Sequence, residues 1–380
     1  MSESARETVE SDRITVLMTG AGAPGASGII RSLRRWDGFS ARIVGVDMDP
    51  SAYGFALVEE GYTVPAGDDE GYISQMEAIA EEEAPDVILP LTTAELQPLA
   101  RNRERFDATV MVSAVEPLAV ANNKAALYQF LEAEGFESAP EFRVVGTEAG
   151  FVDAVKTLGY PEQPVCFKPP VASGMRGFRV LDQAADRLRR LLSEKPGTAV
   201  TTLSEIRPVL SSADSFPELV VMEHLPGQEY SVDVLATPEG VHPVVPRTRE
   251  QTRAGITFRG KVERAETLIE EAKGICRELG VEYNANLQFK YDASGTPKLI
   301  EINPRVAGTI IMCTGAGANM PALGVTSALG KAVPAVDVEW GTRMNRYWTE
   351  LFRDPDGSTF HVGPDTGMTA GEYDERIQPR

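Results

Sequence analysis

Cysteine, histidine, lysine and long apolar runs are all scarce in this chain, and each shortage excludes something. The 3 cysteines among 380 residues, Cys166, Cys276 and Cys313, are odd in number, far apart and set in apolar surroundings. That argues against a disulfide framework and against a zinc site. The 3 histidines, His224, His242 and His361, show no metal-type spacing. No segment approaches the about 18 consecutive apolar residues of a membrane-spanning helix. Residues 1–12 are polar and acidic, without the basic start and apolar core of a signal peptide. A disordered leader over 1–13, a cytoplasmic location and no membrane partner are therefore expected. There is no internal repeat and no low-complexity tract.

Positive charge is also short. The formal net charge is −19, and arginine carries most of the cationic side. A nucleic-acid binder needs the opposite balance or at least a basic stripe, so no nucleic-acid partner is expected. The acidic residues are dispersed along the chain, as on a halophile surface that carboxylates keep solvated; an ordinary acidic cytosolic enzyme is the alternative. Hydrophobic content of 42% and charged content of 24% are those of a globular protein with two or three cored domains.

The chain begins with an apolar strand, Ile14–Thr19, that enters Gly20-Ala21-Gly22-Ala23-Pro24-Gly25 and then a helix. A second strand, Arg42–Val46, ends at Asp47. Strand, glycine turn, helix, strand and acid make a Rossmann-type βαβ unit. Gly20, Gly22 and Gly25 fit a dinucleotide fingerprint, which would make an NAD-linked oxidoreductase an alternative function; they equally fit close helix–strand packing. A later strand, Asp86–Leu89, runs into Thr92-Thr93-Ala94-Glu95 at the same sheet edge, which makes Gly22, Thr93 and Glu95 candidate substrate contacts or, for the threonines, helix caps. This Rossmann-like domain is expected over 14–118.

Over 119–215, Asn122-Asn123-Lys124 opens a helix. Lys168 sits in a short apolar strand, and Ser173-Gly174-Met175-Arg176-Gly177 forms a hairpin tip of the kind that cradles phosphate. Over 216–350, the strand ending Glu223-His224-Leu225-Pro226-Gly227-Gln228-Glu229 suits an adenine slot, with Glu229 placed for ribose hydroxyls. Arg247 and Arg249, at i and i+2, can clamp an anion or lie on the surface. Residues 351–380 form a polar tail without assigned structure.

Asn284 to Arg305 reads as a hairpin about Asp292-Ala293-Ser294-Gly295. With Ser294-Gly295 as a two-residue turn, Gln288 stands opposite Glu301, and Asn303 shares that face. Two amide oxygens and a carboxylate suit Mg²⁺, an ion that usually arrives with phosphates. Arg305 follows, a cation beside an anion site.

In their order and spacing, Asn122-Asn123-Lys124, Phe167-Lys168-Pro169, Ser173–Gly177, Glu223–Glu229, Asn286-Leu287-Gln288 and Glu301-Ile302-Asn303-Pro304-Arg305 resemble the ATP-grasp superfamily, most of all one ATP-grasp unit of the carbamoyl-phosphate synthase large subunit. The resemblance implies an α/β and α+β architecture: a Rossmann-like pre-ATP-grasp domain, then a two-subdomain ATP-grasp fold. It implies ATP and Mg²⁺ (with Mn²⁺ as a substitute ion) as cofactors. Lys124, Lys168 and the Ser173, Gly174, Met175, Gly177 loop would hold phosphates, and Glu223, His224, Leu225 and Glu229 the nucleoside. Gln288, Glu301 and Asn303 would hold metal, with Arg305 and Lys168 catalytic. The implied reaction activates a carboxylate as an acyl phosphate for attack by an amine or thiol, with small-molecule carboxylate and amine partners and a homodimer as a compatible assembly. A non-catalytic ATP-binding module is the other alternative. The chain has room for one ATP-grasp half and no glutaminase, and Asn123 stands where many relatives carry Asp.

Overall fold

Why the glycine turn and the Thr92–Glu95 loop meet follows from the first sheet. The structure, a computed structural model, describes residues 12–172, 175–193, 199–253, 255–355 and 358–360. It opens with β1 (Arg13–Met18), α1 (Ala26–Arg34), β2 (Ser40–Asp47), β3 (Glu60–Thr63), α2 (Tyr72–Glu83), β4 (Val87–Leu89), α3 (Leu96–Arg101) and β5 (Thr109–Val110). All five strands are parallel, in the order β3-β2-β1-β4-β5. Parallel strands are covered on both faces, which explains their unbroken apolar runs. Leu17, Val44 and Ile88 face one core, and Val16, Ile43 and Leu89 face another. Because β1 and β4 are neighbours, their carboxyl ends carry Gly20–Gly28 and Leu91–Glu95 side by side, at the point where strand order reverses. Arg13, assigned to the leader by sequence, is already in β1, and residues 1–11 lie outside the described residues.

The glycines of that first turn serve packing. A Cβ on Gly25 would lie 2.5 Å from the Cα of Gly308, and one on Gly28 would lie 3.0 Å from Ile311. Gly25→Ala is therefore expected to cost about 1–3 kcal/mol. Gly315→Ala, whose Cβ meets nothing within 4 Å in a helix, is expected to be neutral or slightly stabilising. Thermal unfolding of the two variants checks this pair; equal melting temperatures would show that the close approach is not needed.

The next elements are α4 (Val115–Ala121), α5 (Lys124–Ala133), β6 (Phe142–Val145), α6 (Glu148–Thr157), β7 (Val165–Lys168), β8 (Arg179–Leu181), α7 (Arg187–Ser193), β9 (Val200–Thr201), α8 (Leu203–Leu210) and β10 (Leu219–Glu223). Asn123 caps α5 by accepting from the backbone N–H of Ala125 and Ala126, a task Asn performs as well as Asp. The sheet order is β6-β10-β7-β8-β9. The boundary expected at 216 falls before β10, yet β10 is hydrogen-bonded between β6 and β7 and completes their sheet.

The remainder is β11 (Glu229–Thr237), β12 (Gly240–Thr248), β13 (Gln251–Arg253), β14 (Ile256–Lys261), α9 (Glu266–Leu279), β15 (Tyr283–Tyr291), β16 (Pro297–Asn303), α10 (Ile311–Gly315), α11 (Met320–Ala328), β17 (Arg343–Asn345), β18 (Phe352–Arg353) and β19 (Thr359–Phe360). β12-β11-β15-β16 form an antiparallel sheet with two unlike faces. Val232, Val234, Ala285, Leu287, Phe289 and Ile302 bury one face with Leu127 and Leu131 of α5 and Leu268, Ala272 and Ile275 of α9. The other face is mainly polar, apart from Leu235 and Val245, which join the core that contains α11. The hairpin β13–β14, which pairs with β17, and the small pair β18–β19 were not expected from sequence, the latter falling in the presumed tail. Their strands have only 2 or 3 residues in β13, β18 and β19, too few to show periodicity. Among the described residues no helix is long and apolar enough to cross a membrane.

Candidate active site

The polar face of the antiparallel sheet is built by alternation. Ser231 pairs with Arg247 and with Gln288, Asp233 pairs with Asn286, Asn286 with Asn303, and Gln288 with Glu301. Residues opposite one another share a face, so Glu229, Ser231, Asp233, Arg247, Asn286, Gln288, Glu301 and Asn303 all project to one side. The opposition of Gln288 and Glu301 is the one expected, but it is reached by another route. The turn is a three-residue loop: Asp292 N–H donates to Thr296 O across 2.9 Å, and Gly295 has φ +85°. This displaces the register by one residue, and a bulge at Ile300 restores it between Phe289–Leu299 and Gln288–Glu301.

Helices α10 and α11 divide this face into a covered end and an open end. At the covered end Asp233 and Arg247 are wholly buried and joined at 2.5 Å. Arg247 also donates to Thr309 Oγ1 at 2.6 Å, Asn286 to Asp233 Oδ1 at 2.8 Å, and the Cys313 thiol to Asp233 Oδ2 at 3.2 Å. Burial pushes that thiol well up, and Asp233 adds to the rise. Arg247 was expected to clamp substrate; it is instead sealed in a structural ion pair, because the helices after Arg305 lie over it. Asp233, its partner, went unnoticed in sequence, although it lies on the same face as Glu229 at a spacing of four along one strand.

At the open end six side chains converge. Lys124, at the start of α5, lies 3.5 Å from Glu301 Oε2 and donates to Ala172 O at 2.9 Å. Burial alone would push the Glu301 carboxyl up, but Lys124 and Lys168 outweigh it and hold it below the usual range, so it is ionised at neutral pH. Asn303 donates to Glu301 Oε1 at 3.1 Å, and its own oxygen accepts from Arg305 at 3.1 Å. Gln288 makes no side-chain hydrogen bond among the described residues, which leaves its amide oxygen to a ligand. One carboxylate and two amides are a hard-oxygen set compatible with Mg²⁺, and no cluster of three His, Cys, Asp or Glu competes among the described residues. Lys168 is buried on β7; burial first, then the field of Lys124, lowers its pKa to about 7.

The remaining candidates lie at the end of β10, at the start of β11 and in the turn before β8. Glu223 accepts from Glu141 N–H at 3.0 Å, and burial raises its pKa. His224 is half-buried and pushed towards the neutral form by burial and by Lys290. Leu225 is buried beside them. Glu229 is ion-paired at 2.5 Å with Arg249, which also donates to Gly255 O at 2.9 Å, so Arg249 is tied to Glu229 and the β13–β14 hairpin. Met175 and Gly177 both have positive φ in the turn before β8, at +62° and +73°. Ser173 and Gly174 lie outside the described residues.

Two expectations about the first domain are corrected. The Gly22 N–H donates to Asp47 Oδ2 at 2.7 Å and the Asp49 N–H to Asp47 Oδ1 at 2.9 Å. The acid and the turn that would grip a dinucleotide thus satisfy each other. Glu95 is not a substrate contact. It is buried and accepts from Thr19 Oγ1, Leu91 N–H (3.0 Å), Thr92 N–H (2.7 Å) and Tyr72 Oη (3.3 Å), holding its own loop closed. Thr93 stays partly exposed in that loop. Arg346, which sequence did not mark, donates to Gly308 O at 3.0 Å and Pro24 O at 3.4 Å, tying the first domain's turn to the segment after Arg305.

Residues 215–350 match a family model described as ATP-grasp in the biosynthetic pathway with Ter operon, and residues 16–113 match one described as PylC-like, N-terminal domain. No curated protein matches the chain in sequence. The fold recurs in an N5-carboxyaminoimidazole ribonucleotide synthetase solved with ADP, at TM-score 0.65 and 16% identity over 88% of this chain and 81% of that one. It recurs in an L-amino acid ligase from Bacillus licheniformis, at 0.59 and 16% over 84% and 74%. The biotin carboxylase domain of 2-oxoglutarate carboxylase from Hydrogenobacter thermophilus, solved with MgADP, ADP and bicarbonate, gives 0.62 and 15% over 93% and 84%. By fold, then, the chain has the architecture of these ATP-grasp enzymes, with residues 215–350 matching an ATP-grasp family model behind a segment that matches a PylC-like N-terminal domain.

Proposed function

We propose that the chain is an ATP- and Mg²⁺-dependent ligase that activates a carboxylate as an acyl phosphate for attack by an amine or thiol. The observation that carries this is the open end of the polar face, where Gln288, Glu301 and Asn303 lie on one surface flanked by Lys124 and Lys168. The relatives solved with ADP or MgADP support a nucleotide there. Gln288, Glu301 and Asn303 would hold the metal, after a half-turn of the Asn303 amide that brings its oxygen to the Glu301 side. Bound there, the metal would neutralise phosphate charge, and Lys124, Lys168 and Arg305 would orient and stabilise the transferring phosphoryl group. Glu223, His224, Leu225 and Glu229 would receive the nucleoside, and Met175 and Gly177 would border the phosphates.

Arg346, which bridges the first domain's turn and the segment after Arg305, and the partly exposed Thr93 are the residues proposed for the second substrate. A closer relation to one ATP-grasp unit of carbamoyl-phosphate synthase is proposed from the sequence motifs alone. The dispersed acidity of the chain makes high salt the proposed working medium. A screen of phosphate release over carboxylates crossed with amines and thiols, at high salt, is expected to find pairs that release phosphate only with both partners and Mg·ATP present. Phosphate release that depends on neither partner would refute ligase chemistry.

A further inference from the structure

Lys168 and Lys124 are two lysines at one site, and the structure treats them differently. Lys124 faces the Glu301 carboxylate at 3.5 Å. Lys168 is held by neutral groups only: its ammonium donates to Tyr128 Oη at 2.9 Å and to Ile300 O at 3.2 Å. The Tyr128 hydroxyl in turn donates to the same Ile300 oxygen at 2.7 Å. That oxygen is available because Ile300 is the extra residue of the β16 bulge, whose carbonyl is released from the ladder. Tyr128 is fully buried, four residues after Lys124 on α5, so one helix face delivers both groups.

We infer that Tyr128 and the Ile300 carbonyl are a positioning device for Lys168. They fix its ammonium without using the Glu301 carboxylate, which stays free for metal. An ammonium has three donors; two are satisfied by Tyr128 and Ile300, and the third remains for a phosphate oxygen. The inference rests on the nucleotide reading above, since it assigns Lys168 a phosphate to meet. Tyr128 itself touches no ligand.

The test is a double-mutant cycle on Mg·ADP affinity, measured by calorimetry. Tyr128→Phe is expected to weaken Mg·ADP about tenfold while leaving adenosine binding unchanged, because the nucleoside slot is built from other residues. Lys168→Met is expected to weaken Mg·ADP at least as much. In the Lys168→Met background, Tyr128→Phe is expected to change affinity by less than about twofold, since the lysine it positions is gone. Equal losses in both backgrounds, or no loss in the wild type, overturn the positioning role. If wild type does not bind Mg·ADP, the nucleotide reading falls and takes the inference with it; binding that Tyr128→Phe leaves unchanged removes the inference alone. Should Tyr128→Phe not fold, 3-fluorotyrosine at position 128 keeps the ring's shape while weakening its oxygen as an acceptor. The same cycle is then read for a loss confined to the Lys168 background.

Discussion

Glu301→Ala is expected to abolish the tightening of nucleotide affinity by Mg²⁺ and to lower turnover by about 10³-fold or more. Glu301 is the one carboxylate of the proposed metal set. It is held ionised against burial by Lys124 and Lys168. Removing it leaves Lys124, Lys168 and Arg305 around the site with no compensating anion on that strand pair. Metal-free ADP, itself an anion, should therefore still bind to Glu301→Ala, and the difference between ADP and Mg·ADP should vanish. Glu301→Gln, which keeps the shape and removes the charge, should behave the same way. Calorimetric titration with and without Mg²⁺ reads both variants. A variant that still gains affinity from Mg²⁺ would remove Glu301 from the metal site.

Lys168→Met should make the protein more stable and a worse nucleotide binder. Burial, reinforced by Lys124 and opposed by Glu301 and Cys166, brings this lysine from 10.5 to about 7. The unfolded chain holds the proton up to pH 10.5, whereas the folded chain holds it only below about 7. Between those values the unfolded state binds more protons, so this lysine makes stability rise with pH. Its burial cost is present in full below pH 7, at most about 5 kcal/mol, and fades towards pH 10.5. Methionine removes that cost but leaves Ile300 O and Tyr128 with one partner fewer, an offset of about 1–3 kcal/mol. A net gain on the order of 2 kcal/mol is expected at pH 6.5, shrinking as pH rises to 10. Mg·ADP affinity should fall about 10- to 100-fold from loss of a charged hydrogen bond. Denaturant unfolding at the two pH values separates this from a packing effect, which would be independent of pH.

Sequence carried the fold a long way, because its short polar motifs fall at strand ends and turns, where alternation and glycine punctuate the chain. Lys124, Gln288, Glu301 and Asn303, all picked out in sequence, are brought to one end of the polar face, and the face shared by the last three was legible from alternation. The pairing of Gln288 with Glu301 was reached from a shorter turn than the real one. Asp292 accepts from the Ser294 and Thr296 N–H groups, which favours the three-residue loop, and the bulge at Ile300 cancels the resulting shift. Two compensating irregularities leave no trace in a binary pattern.

Arg247 and Glu95 failed for a different reason. Both are charged residues on the expected side of their elements, and whether such a side is open depends on what packs over it. For Arg247 that cover is the segment after Arg305, more than fifty residues downstream; for Glu95 it is Thr19 and Tyr72 from other elements. Tyr128 was missed because a tyrosine in an amphipathic helix reads as core. Only its spacing of four from Lys124 marked it as a neighbour of the site. Gly20, Gly22 and Gly25 gave a dinucleotide pattern because tight turns and close packing ask for the same residue.

The most direct test of the central claim is a calorimetric titration of the wild-type protein at high salt with ADP alone, with ADP and Mg²⁺, and with NAD. ADP is expected to bind more tightly with Mg²⁺ than without, and NAD is expected to give no heat of binding. Binding of NAD together with no response to Mg·ADP would contradict that claim.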